Sequence, residues 1–151
     1  MDPRLTMISA IELIERDITI TELARIHAGF EENRVEHGNP ASSQERHGVV
    51  AMAGERFIGA ISGLKYHQWF YITDLWLEKD YRRQGLGSAL LQKLEARVAA
   101  LGVKNIYTWT AGFEAPEFYK THGYGVFCEL ENYYSTGHGR IGVRKALSAG
   151  A

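Results

Sequence analysis

The chain is poor in cysteine, in net charge and in long apolar runs, and each shortage excludes a class of protein. One cysteine stands in 151 residues, Cys128. A single thiol closes no internal disulfide, which fits a reducing compartment. Lys and Arg number 17 against 18 Asp and Glu, a formal net charge of −1. No global basic field recruits nucleic acid, so any anion site has to be local. No segment approaches the apolar length that crosses a bilayer. The opening MDPRLTMISAIELIERD lacks the basic stretch and apolar core of a signal peptide. Repeats and low-complexity linkers are missing too. With 45% hydrophobic and 23% charged residues, the expectation is one soluble, cytoplasmic domain over residues 1–151. It is long enough to bury a core without staples.

Apolar periodicity sketches the elements. RLTMISAIELI reads as a first strand. TITELARIHAGFEENRVEHG reads as a helix capped by Thr19 or Thr21, with Leu23, Ile26, His27 and Phe30 at helical spacing. HGNPASSQERHG, residues 37–48, is a loop by composition. VVAMAGERFIGAISGL is a hairpin turning at Gly54-Glu55, and WFYITDLWLE is a central strand. Leu86, Leu90, Leu94, Val98 and Leu101 stripe a helix that Gly102 stops. KNIYTWTA is a strand and APEFYKTHG a short helix with Pro116 in its first turn. YGVFCELENYY and GRIGVRKAL close as an antiparallel pair. The order implies an α/β protein with a mixed sheet and helices on its faces.

The stretch DYRRQGLGSALL, residues 80–91, carries the chemistry. A helix start leaves backbone N–H groups unpaired and concentrates partial positive charge. Glycines let an anion approach those groups, and Arg82 and Arg83 add charge beside them. A Walker loop would need Gly-Lys-Ser/Thr, which is missing. A dinucleotide fingerprint would need a third glycine where Leu90 stands. Alone, the stretch is either a pyrophosphate seat or a solvated turn opening a helix.

Arg82-Arg83-Gln84-Gly85-Leu86-Gly87, between a strand and a long helix, resembles the Gln/Arg-x-x-Gly-x-Gly/Ala motif of the GNAT N-acetyltransferases. Leu75-Trp76-Leu77 resembles the family's apolar strand end. APEFYKTHGY resembles its aromatic-Tyr helix, and FEAPEFY is similar to a bacterial branch with Phe-Gln-Ala-Pro, from which Glu114 departs. The resemblance spans roughly residues 45–146. It implies a mostly antiparallel sheet of six to seven strands with helices on both faces. It also implies acetyl-coenzyme A as cosubstrate, no metal, and direct transfer of acetyl to an amine.

By the same resemblance, Arg82, Arg83, Gln84, Gly85, Leu86, Gly87 and Ser88 hold the pyrophosphate, mostly through backbone. Leu75, Trp76 and Leu77 pair with the pantetheine arm, and the Leu77 N–H polarises the thioester carbonyl. One such preorganised donor is worth about 3 kcal/mol. Tyr119 lies near the sulfur as general acid, protonating the thiolate or holding it by a hydrogen bond. Many relatives have an asparagine where Gly112 stands. Asp74 is a candidate base, or else a carboxylate held by backbone or solvent. Glu31, Glu32 and Glu36 either attract a cationic substrate or form a solvated helix face. His67, Trp69, Tyr133, Tyr134 and His138 are candidates for an aromatic amine pocket. The six histidines show no metal spacing, and Cys128 reads as structural. A small-molecule amine is the expected acceptor, and a homodimer through the closing strands is compatible. The alternatives are another acyl group, an alcohol acceptor, or a non-catalytic acetyl-coenzyme A sensor.

Overall fold

The computed structural model describes residues 10–39, 44–112 and 114–148. They belong to two compact units, Met1–Ala41 and Ser42–Ala151.

The first unit is built on helix α1, Ile20–Glu36. Thr19 is its cap. The Thr19 hydroxyl accepts from the Glu22 N–H at 3.2 Å, and the Glu22 carboxylate accepts from the Thr19 N–H at 2.8 Å. This reciprocal box satisfies two of the donors a helix start orphans. The Arg16 guanidinium, and then the Thr19 backbone N–H, pull the Glu22 carboxyl down to about 2. Glu31 pairs with Arg34 at 2.8 Å and Glu32 with Arg25 at 3.5 Å, as befits a solvated helix face. The expected first strand is not seen in residues 10–14, and its remainder, residues 4–9, lies outside the described residues.

The second unit contains β1 (Glu45–Ala53), β2 (Arg56–Tyr66), β3 (Trp69–Leu77), a 3-10 turn (Lys79–Tyr81) and α2 (Leu86–Ala100). It continues through β4 (Asn105–Ala111), α3 (Pro116–Thr121), β5 (Gly125–Leu130) and β6 (Arg140–Ala146). The six strands form one sheet in the order β1-β2-β3-β4-β6-β5. Every neighbouring pair is antiparallel except β3 and β4. The loop expected over residues 37–48 gives way to strand at Glu45. Eleven-residue β2 offers partners that far out, with Lys65 opposite Glu45 in the register.

Helix α2 supplies the crossover that a parallel pair requires. It lays Leu90, Leu91, Leu94 and Val98 against Ile61, Phe70, Ile72, Ile106 and Val143. Burying each such side chain contributes about 1.5–3 kcal/mol. Leu101 falls outside the expected stripe because it is the C-cap, past the last helical turn, and is exposed. Tyr119 and Tyr124 close the same core.

The sheet forks in its middle. β3 and β4 pair only at Trp69↔Asn105, Phe70↔Ile106 and Tyr71↔Tyr107. On the other side of β3 the register slips, with Gly63 opposite Ile72 and Ser62 opposite Asp74, so Thr73 is an extra residue. Such a bulge bends its strand and increases the local twist. The C-terminal half of β3 therefore leaves β4 and opens a wedge in the sheet.

Candidate active site

The wedge is a cleft of about 570 Å³. Ile72 to Leu77 form one wall, and Thr108 to Thr110 form the other. Glu114, Ala115, Phe118 and Tyr119 close its far side, and Arg82 stands among its lining residues.

Its walls are held by hydroxyl groups where the backbone ladder stops. β4 alternates Ile106, Thr108 and Thr110 toward the core, and all three are buried. The Thr108 hydroxyl donates to the Ile72 carbonyl at 2.8 Å, one residue past the last β3–β4 pair. It thus replaces a ladder bond that the divergence removes, and a buried carbonyl left bare there would be costly. The Thr110 hydroxyl and the Ala111 N–H each donate to Glu114 Oε2 at 3.3 Å.

At the end of β3 the Glu78 N–H donates to the Ile58 carbonyl of β2 at 2.8 Å. Strand residues turn their polar groups alternately to opposite sides. Leu77 accordingly presents its N–H and carbonyl away from β2, toward the cleft. Its carbonyl accepts from Arg82 Nε at 2.9 Å. Arg82 is thereby a brace on the strand end as well as a charge at the helix start. Gly59 backs the same point: a Cβ there would lie 2.9 Å from the Leu77 Cα, so no larger residue fits without moving the strand.

The glycine-opened helix stands beside this strand end. Gly85 caps α2 with φ 81, a left-handed conformation that glycine adopts without the Cβ clash of other residues. Arg83 also has positive φ, at 62. Gln84 Nε2 donates to the Asp80 carbonyl at 3.2 Å and stiffens the turn. Leu86, Gly87 and Ser88 occupy the first turn of α2, whose N–H groups have no partner within the helix. A Cβ on Gly87 would meet only Phe118 ring atoms, at 3.7 Å. Internal packing therefore does not demand glycine there. The Ser88 side chain is turned to His122, 2.8 Å from Nε2, which leaves its backbone for a ligand. An unpaired helix start flanked by Arg82 and Arg83 has the donor set a pyrophosphate needs, and the cleft has room for an extended arm beside β3.

Tyr119, on α3, is buried with its ring against Phe118 and Tyr124. Burial, and then the Glu114 carboxylate, push its phenol up to about 12, against a smaller opposite pull from the Thr108 hydroxyl. The phenol is therefore fully protonated at neutral pH.

The structure thus gathers Leu75, Trp76, Leu77, Arg82 and Tyr119 on one cleft, with residues 83–88 at the adjoining helix start. Other expected residues fall elsewhere. Trp69 begins β3 and Leu77 ends it, about 26 Å apart at ~3.3 Å per residue. Trp69 and His67 line a separate aromatic cavity of about 500 Å³ with Tyr71, Tyr107 and Phe127. Tyr134 and His138 line a hollow in the β5–β6 connection, and Tyr133 meets the Tyr134 ring edge to face and takes a hydrogen bond from Arg140. The five residues therefore form no common amine pocket. Asp74 lies on the cleft but accepts from Thr73 at 2.6 Å and faces Arg46 at 3.9 Å. Gly112 donates its N–H to the Gly139 carbonyl at 2.9 Å, tying the β5–β6 connection to the end of β4. Cys128 is a half-buried free thiol on β5. Among the described residues no three His, Cys, Asp or Glu side chains assemble as a metal site, and no helix is long and apolar enough to cross a membrane.

Sequence reasoning missed Thr108 and Thr110. The available signal was two hydroxyls at the core-facing positions of an otherwise apolar strand.

A parallel pair prised apart in a mostly antiparallel sheet, with a glycine-opened helix at the opening, defines an acetyltransferase architecture. Residues 13–124 match the model of the Acetyltransferase (GNAT) family. A blasticidin-S acetyltransferase from Streptomyces morookaense is 34% identical over 86 residues, which are 53% of this chain and 61% of that protein. The chain thus spans under two thirds of that relative's length. The crystal structure of an acetyltransferase from Bacillus cereus ATCC 14579 superposes with a TM-score of 0.81 at 27% identity, over 90% of this chain and 98% of that one. An aminoglycoside 6'-acetyltransferase type Ii superposes at 0.62 with 27% identity, over 78% and 76% of the two chains. The chain belongs to the Acetyltransferase (GNAT) family.

Proposed function

We propose that the protein moves an acetyl group from acetyl-coenzyme A directly to an amine of a small molecule. The observation that carries this is the fork itself: a strand end and a buried phenol line one cleft, and the open helix start adjoins it. Bound there, acetyl-coenzyme A would supply the acyl group as an activated thioester. The first-turn N–H groups of Leu86, Gly87 and Ser88, with Arg82, Arg83, Gln84 and Gly85, hold the pyrophosphate. Leu75, Trp76 and Leu77 orient the arm along β3.

The Leu77 N–H donates to the carbonyl oxygen as negative charge develops on it. One fixed donor of this kind contributes about 3 kcal/mol. The Tyr119 hydroxyl donates toward the sulfur. Its proton is held far more tightly than that of a thiol, ordinarily near 8.5, so at neutral pH it stabilises the departing thiolate by a hydrogen bond while keeping the proton at Oη. Cys128 takes no part, and no acyl-enzyme forms.

A small acceptor is supported by the relatives named as blasticidin-S and aminoglycoside acetyltransferases. We extend the same reading to a single catalytic domain acting in the cytoplasm, to a homodimer through the closing strands, and to the branch that carries Phe-Gln-Ala-Pro.

The test is calorimetric titration with acetyl-coenzyme A, followed by thiol release over an amine panel. Wild type binds at micromolar concentration and releases coenzyme A only with acceptor. Gly87→Glu keeps its fold and loses binding. Tyr119→Phe keeps cofactor affinity within threefold and loses turnover by roughly 10²-fold. Binding without turnover on any amine would leave only the sensor. No binding by wild type would sink both.

A further inference from the structure

We infer that Glu114 is the group that recognises the acceptor, and that the acceptor is a cationic amine bound by its positive charge. This rests on the proposed acetyl transfer in the same cleft and names its substrate class.

Two carboxylates line the cleft, Asp74 and Glu114. Asp74 is already committed, to the Thr73 hydroxyl at 2.6 Å and to Arg46 at 3.9 Å. Glu114 is held differently. It accepts from the Thr110 hydroxyl and the Ala111 N–H, both at 3.3 Å and both on one oxygen, Oε2. No described cation lies within ion-pair distance of it. Arg82, which lines the same cleft, donates to the Leu77 carbonyl, and Arg140 lies over Trp109 and Tyr133. Two long bonds to neutral donors orient a carboxylate without neutralising it.

Its place in the cleft fits the role. Glu114 shares the lining with Tyr119 and Leu77, and its charge is felt at the Tyr119 phenol. An ammonium paired with Glu114 therefore stands near the Tyr119 phenol and in the same cleft as the Leu77 N–H. A carboxylate favours the charged form of an amine beside it. Its contribution is accordingly to capture and aim the acceptor, and deprotonation is left to water in the cleft. Thr110 and Ala111 belong to rigid β4, so the anchor is set from the same strand that forms the wall.

The experiment compares binding of benzylamine, protonated at neutral pH, and benzyl alcohol, its neutral counterpart, to the full chain saturated with coenzyme A. Chemical-shift titration reads the weak affinities directly, and needs no turnover. Wild type should favour the cation by roughly tenfold or more, the size of a charge-assisted contact. Glu114→Gln retains an oxygen for Thr110 and Ala111 and should abolish the preference, with coenzyme A affinity unchanged. Glu114→Asp, which keeps the charge, should retain part of it. Equal weakening of both probes in Glu114→Gln would show a merely structural residue and overturn the inference. Loss of the preference in Asp74→Asn instead, or no preference in wild type, would overturn it too. Cation preference in a protein that releases no coenzyme A would sink the transfer reading while leaving the charge recognition standing.

Discussion

Replacing Thr108 by valine tests whether a single hydroxyl holds the fork. The two side chains have nearly the same shape, so the substitution removes a hydrogen bond with little change in packing volume. Thr108 is 4% exposed and its acceptor, Ile72, 2% exposed. The Ile72 carbonyl lies past the last β3–β4 pair, so no β4 backbone donor replaces the lost one. An unsatisfied buried acceptor costs about 1–3 kcal/mol. Exchanging the hydroxyl for a methyl in the core returns about 0.8 kcal/mol. The net loss is about 0.2–2 kcal/mol, toward the lower end if water in the cleft reaches the carbonyl. For a unit of this size that is a fall in Tm of roughly 1–8 °C. Urea unfolding should show a lower midpoint at an unchanged slope, which identifies a loss of stability in a state of the same compactness. Acetyl-coenzyme A should also bind more weakly, because the wall opposite β3 is no longer pinned. Thr108→Ser, which keeps the hydroxyl, should recover most of both effects. A valine variant as stable as wild type or more so, and of equal affinity, would refute the argument. The fork would then be held by the bulge and the helix packing alone.

Two further outcomes follow from the same geometry. Gly85→Ala meets no neighbouring atom but must hold φ 81; calorimetry should show about 1–2 kcal/mol of lost stability with weakened acetyl-coenzyme A binding, and full retention of both would remove the left-handed turn from the account. The Tyr119 phenol is raised to about 12 from its ordinary 10, so its contribution, about 2–3 kcal/mol, is fully present below pH 10 and is lost as pH rises toward 12. Denaturant midpoints measured across that window should fall in wild type and fall less in Tyr119→Phe.

Most of the scaffold was legible because its signals are periodic. Leu90, Leu94 and Val98 recur at helical spacing and do face the core. The hairpin at Gly54-Glu55 and the closing pair stand where apolar runs flanking turn residues put them. The aromatic residues misled, because an aromatic side chain announces burial without saying where. Trp69 and Leu77 lie at opposite ends of one strand, but only the register of β3 against β4 shows that the Leu77 end is the one that opens into the cleft. Glu114 was visible only as a departure from glutamine. Its meaning depends on Thr110 and Ala111 meeting it across a turn, which no local pattern encodes.

A sheet resists being opened, and that explains why the site is built from such unlike parts. Separating β3 from β4 strands backbone groups on both edges, and each needs a new partner. On β4 the chain uses side-chain hydroxyls at core positions: Thr108 reaches across to Ile72, and Thr110 turns to Glu114. On β3 it uses a bulge at Thr73 to redirect the strand, and Arg82 to take up the carbonyl of Leu77. The Leu77 N–H, which faces the same opening, finds no acceptor on β2. The same divergence that orphans this group also makes the room for a ligand to satisfy it. A continued β3–β4 ladder would consume the very N–H that the cleft presents, so the site exists only because the two strands part.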